Sequence, residues 1–413
     1  MGITVKPFHG VRPKPEYAAA VAALPYDVMN AEEARVMVEG NPHSFLHVDK
    51  AEIDLPPDTD PYSQAVYDKA KENLDGLIKD GILVQDGQAN LYVYRLTMNG
   101  RAQVGLAACV SVEEYEKGLI KKHEFTRKEK EIDRINHMIA CNAHTGPIFL
   151  AYRADAVSGQ ATPQALMADW IKDKNPVYDF VADSVRHELW VVDDTEVQKQ
   201  LEQAFKQIPC LYIADGHHRN ATAAKVAEMR NAKTPQPEAE HNFYLGVIFP
   251  HDALEIMDYN RIVTDLNGME PAEFIEELKK IGTVEPSSGP VKPGGKFEFG
   301  MYMAGQWYKV IVKSLKSDAI GTLDVSVLQD RILSPLLGIN DPRTDNRIDF
   351  VGGIRGLKEL ERRVDSGEMA VAFSMYPTAM EELMNVSDAG QVMPPKSTWF
   401  EPKLLSGVLV HLF

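Results

Sequence analysis

The sequence predicts a mixed α/β (α+β) protein, and three observations carry that expectation. LYVYRLTMNGRAQVGLAACVSV, Leu91 to Val112, holds two strand-like runs around Asn99-Gly100, the dipeptide best suited to a two-residue hairpin. Tyr62 to Lys79 places Ala65, Val66, Ala70, Leu74, Leu77 and Ile78 at helical spacing. Cys210 to Ala214 is a short apolar strand that breaks at Asp215-Gly216 and is followed at once by a helical run, His217 to Arg230.

The other elements follow in order. Asn30-Ala31-Glu32-Glu33 places a capping residue three positions before Glu33, and Gly40-Asn41-Pro42 stops that helix. Asp54 to Pro61 is a turn region. Tyr115 to Ile139 is charged and helical in places, and Thr145-Gly146-Pro147 leads into the strand IFLAYR. Val181 to Val192 reads as a hairpin, Thr195 to Ile208 as a polar helix and Tyr244 to Phe249 as a strand. Pro, Ser and Gly cluster in 231–240 and 284–295, and the second stretch is the better boundary. The expected division is an N-terminal α/β region (1–112), a central core (113–282) and a C-terminal α/β region (283–413). Sheet order is not readable from the sequence.

The 413 residues are 44% hydrophobic and 25% charged, an ordinary globular balance that excludes wholesale disorder. No apolar run reaches the roughly 18 residues of a membrane span, and MGITVKPFHGVRP lacks the apolar core of a secretory signal. A cytoplasmic protein without a membrane partner is expected. With 44 basic against 60 acidic side chains, the net charge of −16 argues against a nonspecific nucleic-acid grip. One local basic pocket for a nucleotide remains compatible with it. Cys109, Cys141 and Cys210 lack paired spacing and read as free thiols in apolar surroundings. Walker A, GxGxxG, HExxH and GxSxG patterns are all missing, which lowers the prior for P-loop, Rossmann, zincin and α/β-hydrolase chemistry.

The sharpest candidate site is LYIADGHHRNATAAK. Gly216 lets backbone approach a ligand closely, and the helix after it aims unpaired N–H groups at an anion. His217, His218 and Arg219 occupy its first turn. A cation there opposes the helix dipole by a few tenths to about 1 kcal/mol unless an anion or Asp215 neutralises it. The plain alternative has Asp215 capping the helix and Arg219 paired elsewhere. Adjacent His217 and His218 diverge by about 100° on a helix and rarely share a metal ion.

DGHHR after an apolar strand resembles the box of the ParB/sulfiredoxin-type fold, in which a Gly-containing turn and an Arg hold nucleotide phosphates. The same box is found in the free-serine kinases built on that fold. The whole chain is similar to a bacterial family catalogued as a domain of unknown function. That similarity runs through LPYDVMN, NPHSFLHVDK, KKHEFTRKEKEIDR, NAHTGPIFL, YIADGHHR, MDYNRIV, DPRTDNRIDFVGG and MPPKSTWFEPKL. It implies a ParB/sulfiredoxin-like core and ATP-dependent phosphorylation of free L-serine to O-phosphoserine, with Mg2+ as cofactor.

Phosphoryl transfer needs held phosphates, neutralised charge and a carboxylate near the acceptor hydroxyl. The cradle would be Gly216, His217, His218, Arg219 and Asn220, with Thr222 a turn further in. Glu124, among Lys121, Lys122, His123 and Arg127, is the first candidate base, unless this run is only a solvated charged face. Asp215 would hold Mg2+ or act as the base itself. His144-Thr145 in a polar turn, Asp27 at a helix entrance and His123 are candidates for the small-molecule substrate. Arg343 would pair a substrate carboxylate, or only Asp341 or Asp345. Lys396-Ser397-Thr398 is a further polar triplet. Two other functions use the same residues: a ParB-like nucleotide-binding regulator without turnover, and a metal-dependent hydrolase built on His123, His217 and His218.

Overall fold

A computed structural model describes residues 2–126, 128–157 and 161–413. Nine strands of the first part of the chain form one mixed sheet. They are β1 (Val5–Lys6), β2 (Leu91–Met98), β3 (Arg101–Ser111), β4 (Ile120–Lys121), β5 (Ile148–Tyr152), β6 (Tyr178–Ala182), β7 (Val185–Val192), β8 (Leu211–Asp215) and β9 (Phe243–Pro250). The spatial order is β4-β8-β5-β9-β3-β2-β7-β6, with β1 added beside β3. The β4–β8 and β5–β9 pairs are parallel and the others antiparallel. The Asn99-Gly100 turn closes the β2–β3 hairpin with φ of 52° and 80°, the two left-handed residues that a type I′ turn requires. Gly105 in β3 lies against the Phe249 ring of β9, where a Cβ would come within 2.7 Å, so glycine there leaves the space that the ring fills.

The longer helices of this part of the chain are α1 (Gln64–Lys79), α2 (Lys128–Cys141), α3 (Pro163–Ile171), α4 (Thr195–Phe205) and α5 (His217–Asn231). Leu91, Val93, Leu106, Ile148, Leu150, Leu211 and Ile213 from the sheet bury against Trp170, Leu201, Phe205, Ala223 and Val226 from α3, α4 and α5. Each large apolar side chain so buried contributes about 1.5–3 kcal/mol. A second cluster joins Val66, Ala70, Leu74 and Leu77 of α1 to Phe45, Leu46, Leu83 and Val410. The helix α2 packs on both α1 and α5, burying Met138 in one cluster and Cys141 in the other. Before these, Asn30 and Glu33 form the expected reciprocal capping box on the helix Ala31–Met37.

The chain divides into two compact units, Met1–Leu254 with Pro402–Phe413, and Glu255–Glu401. The 402–413 segment adds to the first unit by backbone pairing: Ser406 with Ala23, Val410 with Val11, and His411–Leu412 with Ala143–His144. Gly407 makes this possible at φ 80°, with the Phe45 ring 2.6 Å from where a Cβ would stand.

The second unit has an antiparallel six-stranded sheet of β10 (Tyr259–Val263), β11 (Thr283–Ser287), β12 (Glu298–Met303), β13 (Gln306–Ile311), β14 (Ile348–Gly352) and β15 (Val371–Ser374), ordered β11-β13-β12-β15-β10-β14. Arg261 in β10 is buried, donates to the carbonyls of Tyr259 and Lys396, and has its pKa lowered by burial to about 10.

These units do not follow the boundaries expected at 112 and 282. Residue 112 directly follows β3, which pairs with β9 across any cut made there. The Pro-containing stretch at 284–295 supplies the edge strand β11, where Pro286 is tolerated because an edge strand can spare an N–H.

Candidate functional site

The strand β8 breaks where the sequence expects it to. Its pairing with β5 shifts register between Ile213 and Asp215, and Gly216 follows at φ 94°, ψ 28°. That left-handed backbone favours glycine, and an added Cβ would sit 3.5 Å from Ile148 Cα. Gly216 itself, not Asp215, is the capping residue, and no side chain caps α5. Asp215 instead folds back: one carboxylate oxygen accepts the Gly216 N–H at 2.8 Å, and the other pairs with Lys403 Nζ at 2.9 Å. Burial raises the Asp215 pKa, but Lys403 above all, with Arg219, outweighs it and holds the group at about 2.

His217 turns inward. Its Nε2 accepts the His123 backbone N–H at 3.4 Å, the two rings meet edge to face at 4.5 Å, and Nδ1 lies 3.9 Å from Glu124 Oε2. These partners assign the proton to Nδ1. Burial pushes His123 down to about 4 and, with His123 adjacent, pushes His217 well below the usual histidine range. Both rings are therefore neutral near pH 7. Glu124 keeps a half-exposed side chain, and His218 is half-buried on the first turn of α5. Arg127 lies outside the described residues. Among the described residues no group of three or more His, Cys, Asp or Glu is placed to hold a metal ion.

Arg219 points away from the helix axis, toward the HTGP turn. Its Nη1 donates to the Pro147 carbonyl at 2.6 Å, and its guanidinium lies 5.8 Å from the Tyr26 ring centroid. Arg134 of α2 lies 4.1 Å from the same centroid and pairs with Asp133 at 3.0 Å. Burial pushes the Tyr26 phenol up to about 12. Thr145 Oγ1 donates to Asp49 Oδ1 at 2.7 Å. Gly146 sits so close that a Cβ would come 2.8 Å from Ser406 Oγ and 3.0 Å from Arg219 Nη1. Tyr26, Asp49, Arg134, Thr145, Gly146 and Arg219 line a recess of about 30 Å³, which His144 also lines. Asn220 and Thr222 are fully buried, and neither side chain has a hydrogen-bond partner among the described residues.

The structure thus brings Glu124, His123, Asp215, Gly216, His217 and Arg219 to one turn, with Thr145 and His144 beside it. Asp27 is exposed, and it is the preceding Tyr26 that faces the recess. Arg343 belongs to the second unit, where it forms a two-point pair with Asp341 at 2.9 and 2.8 Å, the loop-fixing alternative. In the same unit the triplet 396–398 serves a turn, with Ser397 Oγ donating to the Pro394 carbonyl and its own carbonyl accepting from Thr378.

Sequence reasoning assigned nothing to Lys403, Asp49, Arg134 or Ser406. Each lies within or just beyond a stretch that carries the family resemblance, and spacing alone gives no sign that residue 403 meets residue 215. As a direct Mg2+ ligand Asp215 does not fit as placed, because its Oδ2 already pairs with the Lys403 ammonium, which repels a second cation.

The profile of a family described as "Protein of unknown function (DUF1015)" matches residues 5–326. Among solved structures, a free serine kinase in complex with AMP is 15% identical, with 71% of this chain and 86% of that one covered and a TM-score of 0.34. A conserved hypothetical protein from Pyrococcus furiosus is 15% identical, with 74% and 95% covered and a TM-score of 0.34. SbnI with a C-terminal truncation, from Staphylococcus aureus, is 10% identical, with 73% and 85% covered and a TM-score of 0.36. No curated protein matches the chain.

Proposed function

The chain belongs to the DUF1015 family, and from the site of this member we propose ATP-dependent transfer of a phosphoryl group to the hydroxyl of a free amino acid, L-serine first among them. The observation that carries this reading is the Asp215-Gly216 turn with an exposed carboxylate, Glu124, on one side and a guanidinium, Arg219, on the other. Gly216 lets phosphate oxygens approach the backbone, and the N–H groups opening α5 supply donors without a side-chain competitor. Arg219 neutralises charge. Asn220 and Thr222 lie behind the turn. His217, neutral and donating from Nδ1, would orient Glu124 rather than contact phosphate.

In the reaction, the acceptor hydroxyl oxygen bonds to the γ-phosphorus and the bond from that phosphorus to the β,γ-bridging oxygen breaks. Glu124 takes the hydroxyl proton and ADP leaves. Asp215 is the second candidate for that proton. Mg2+ belongs to this reading as an ion carried on the nucleotide phosphates, and no step runs through Asp215 as its ligand.

A nucleotide-binding regulator would share the turn but release no ADP. The hydrolase reading has less support, because His123 and His217 meet edge to face.

The test is ADP release across the free amino acids, beside a thermal-shift screen with ATP, ADP and CTP, each with and without Mg2+. Nucleotide at about 100 times Kd should add roughly 2.7 kcal/mol of stability. Release that rises only with a hydroxyl amino acid supports the kinase. Stabilisation without acceptor-dependent release supports the regulator, and a silent screen overturns both.

A further inference from the structure

Among the described residues, two side chains of opposite charge face the recess beside the turn without an ion-pair partner. Asp49 is 4% exposed, and only Thr145 bonds its Oδ1. No described Lys, Arg or His lies within ion-pair distance of that carboxylate; the Arg134 guanidinium, which donates to the Asp49 backbone carbonyl at 3.4 Å, acts on it through its field alone. Arg219 likewise has no described carboxylate within that distance, and its one protein hydrogen bond goes to the neutral Pro147 carbonyl. Tyr26 Oη makes no hydrogen bond among the described residues, and that oxygen is open to solvent at the recess.

We infer that this recess, formed by Tyr26, Asp49, Arg134, Thr145 and Arg219, binds the zwitterionic head group of a free α-amino acid. The carboxylate meets the Arg134 guanidinium, which lies 4.1 Å from the Tyr26 ring centroid, and the ammonium meets Asp49, leaving Arg219 at the edge of the recess for the phosphates. A planar fork suits a carboxylate.

Size and charge both favour a head group over a phosphate chain. The recess of about 30 Å³ compares with the roughly 10–15 Å³ that one water needs, so it admits a carboxylate-sized group and not a triphosphate. A doubly charged phosphate would also face the Asp49 carboxylate at close range.

Ile148 connects the recess to the chemistry. It lines the recess, and its Cα underlies Gly216. An amino-acid side chain leaving the recess past Ile148 would carry its hydroxyl to the Asp215-Gly216 turn. As an assignment of the phosphoryl acceptor this rests on the kinase reading, whereas binding of the head group does not.

The test is calorimetric titration of the full chain with L-serine, glycine, ethanolamine (no carboxylate) and 3-hydroxypropionate (no ammonium), without nucleotide. Serine and glycine should bind, and the two truncated compounds should bind at least tenfold more weakly. Asp49→Asn and Thr145→Val should each weaken serine at least tenfold while ATP affinity stays within twofold. Tyr26→Phe, which keeps the packing, checks the recess should either of those variants fold poorly, and it should weaken serine at least threefold. Ethanolamine binding as well as serine, unchanged serine affinity in the folded variants, or no amino-acid binding at all would each overturn the inference. If amino acids bind as stated but no acceptor promotes ADP release, the head-group site stands and the kinase reading falls.

Discussion

Lys403→Met removes the ammonium that faces Asp215 and leaves a carboxylate beside the proposed phosphate turn. The magnitude follows from the carboxyl group itself. Its pKa stands at about 2 against an ordinary 3.8, and a gap of that size corresponds to roughly 2.4 kcal/mol at 1.36 kcal/mol per unit. The Asp215 side chain is 38% exposed, so water screens the pair and about 1 kcal/mol should survive. The assay is a double-mutant cycle of Lys403→Met with Asp215→Asn, read by denaturant unfolding at pH 7. A coupling of about 1 kcal/mol is expected, with a loss of about 2–4 °C in Tm for Lys403→Met alone. The depressed pKa also fixes the pH window. The pair's contribution is complete above the unfolded value of about 3.9 and disappears as pH falls toward about 2, so the coupling should vanish there. ATP affinity should fall in Lys403→Met and recover in the double variant. Strictly additive single effects at pH 7 would refute the reasoning, because the pair would then contribute nothing measurable.

Gly216→Val should abolish ATP binding in thermal-shift titration, since any Cβ strains φ 94° and a valine would fill the close backbone approach to a phosphate; normal affinity would move the phosphates elsewhere. Glu124→Gln should lower kcat by about 10²–10⁴ with ATP affinity near wild type, and an unchanged kcat would pass the proton to Asp215. Arg219→Ala should lower Tm, because its bond to the Pro147 carbonyl contributes about 1 kcal/mol, and should weaken ATP more than Arg219→Lys does; a variant that melts as wild type would return Arg219 to a purely electrostatic role. Acid should destabilise the fold between about pH 6.5 and 4, because unfolded chain takes up protons that buried His123 refuses; His123→Gln should flatten that slope in melting curves.

Local chemistry made much of the fold legible. Asn99-Gly100 dictates its hairpin, Asn30 with Glu33 dictates its cap, and the break at Asp215-Gly216 is a backbone event that glycine announces. The same is true of the turn's own residues in the candidate site. The partners were not legible, because they meet through tertiary packing. Lys403 reaches Asp215 across 188 positions, and Arg134 reaches Tyr26 only because α2 packs beside the turn. Arg219 follows the same logic: a helix dipole argument places its charge at the α5 N-terminus, whereas the carbonyl of Pro147 decides where the guanidinium rests. Arg343 looked attractive by type, yet a local pair with Asp341 two residues away satisfies it.

The split construction of the first unit matters during synthesis. About 150 residues of the second unit separate residue 254 from residue 402, and at roughly 5–20 residues per second a ribosome spends on the order of 10–30 s on them. Throughout that interval the amide and carbonyl groups of Val11 and Ala23 await Val410 and Ser406, and Asp215 awaits Lys403. The emerging chain therefore carries open strand edges and an Asp215 carboxylate that lacks its ammonium until the 402–413 segment arrives, so the candidate site is completed only after the second unit has been made.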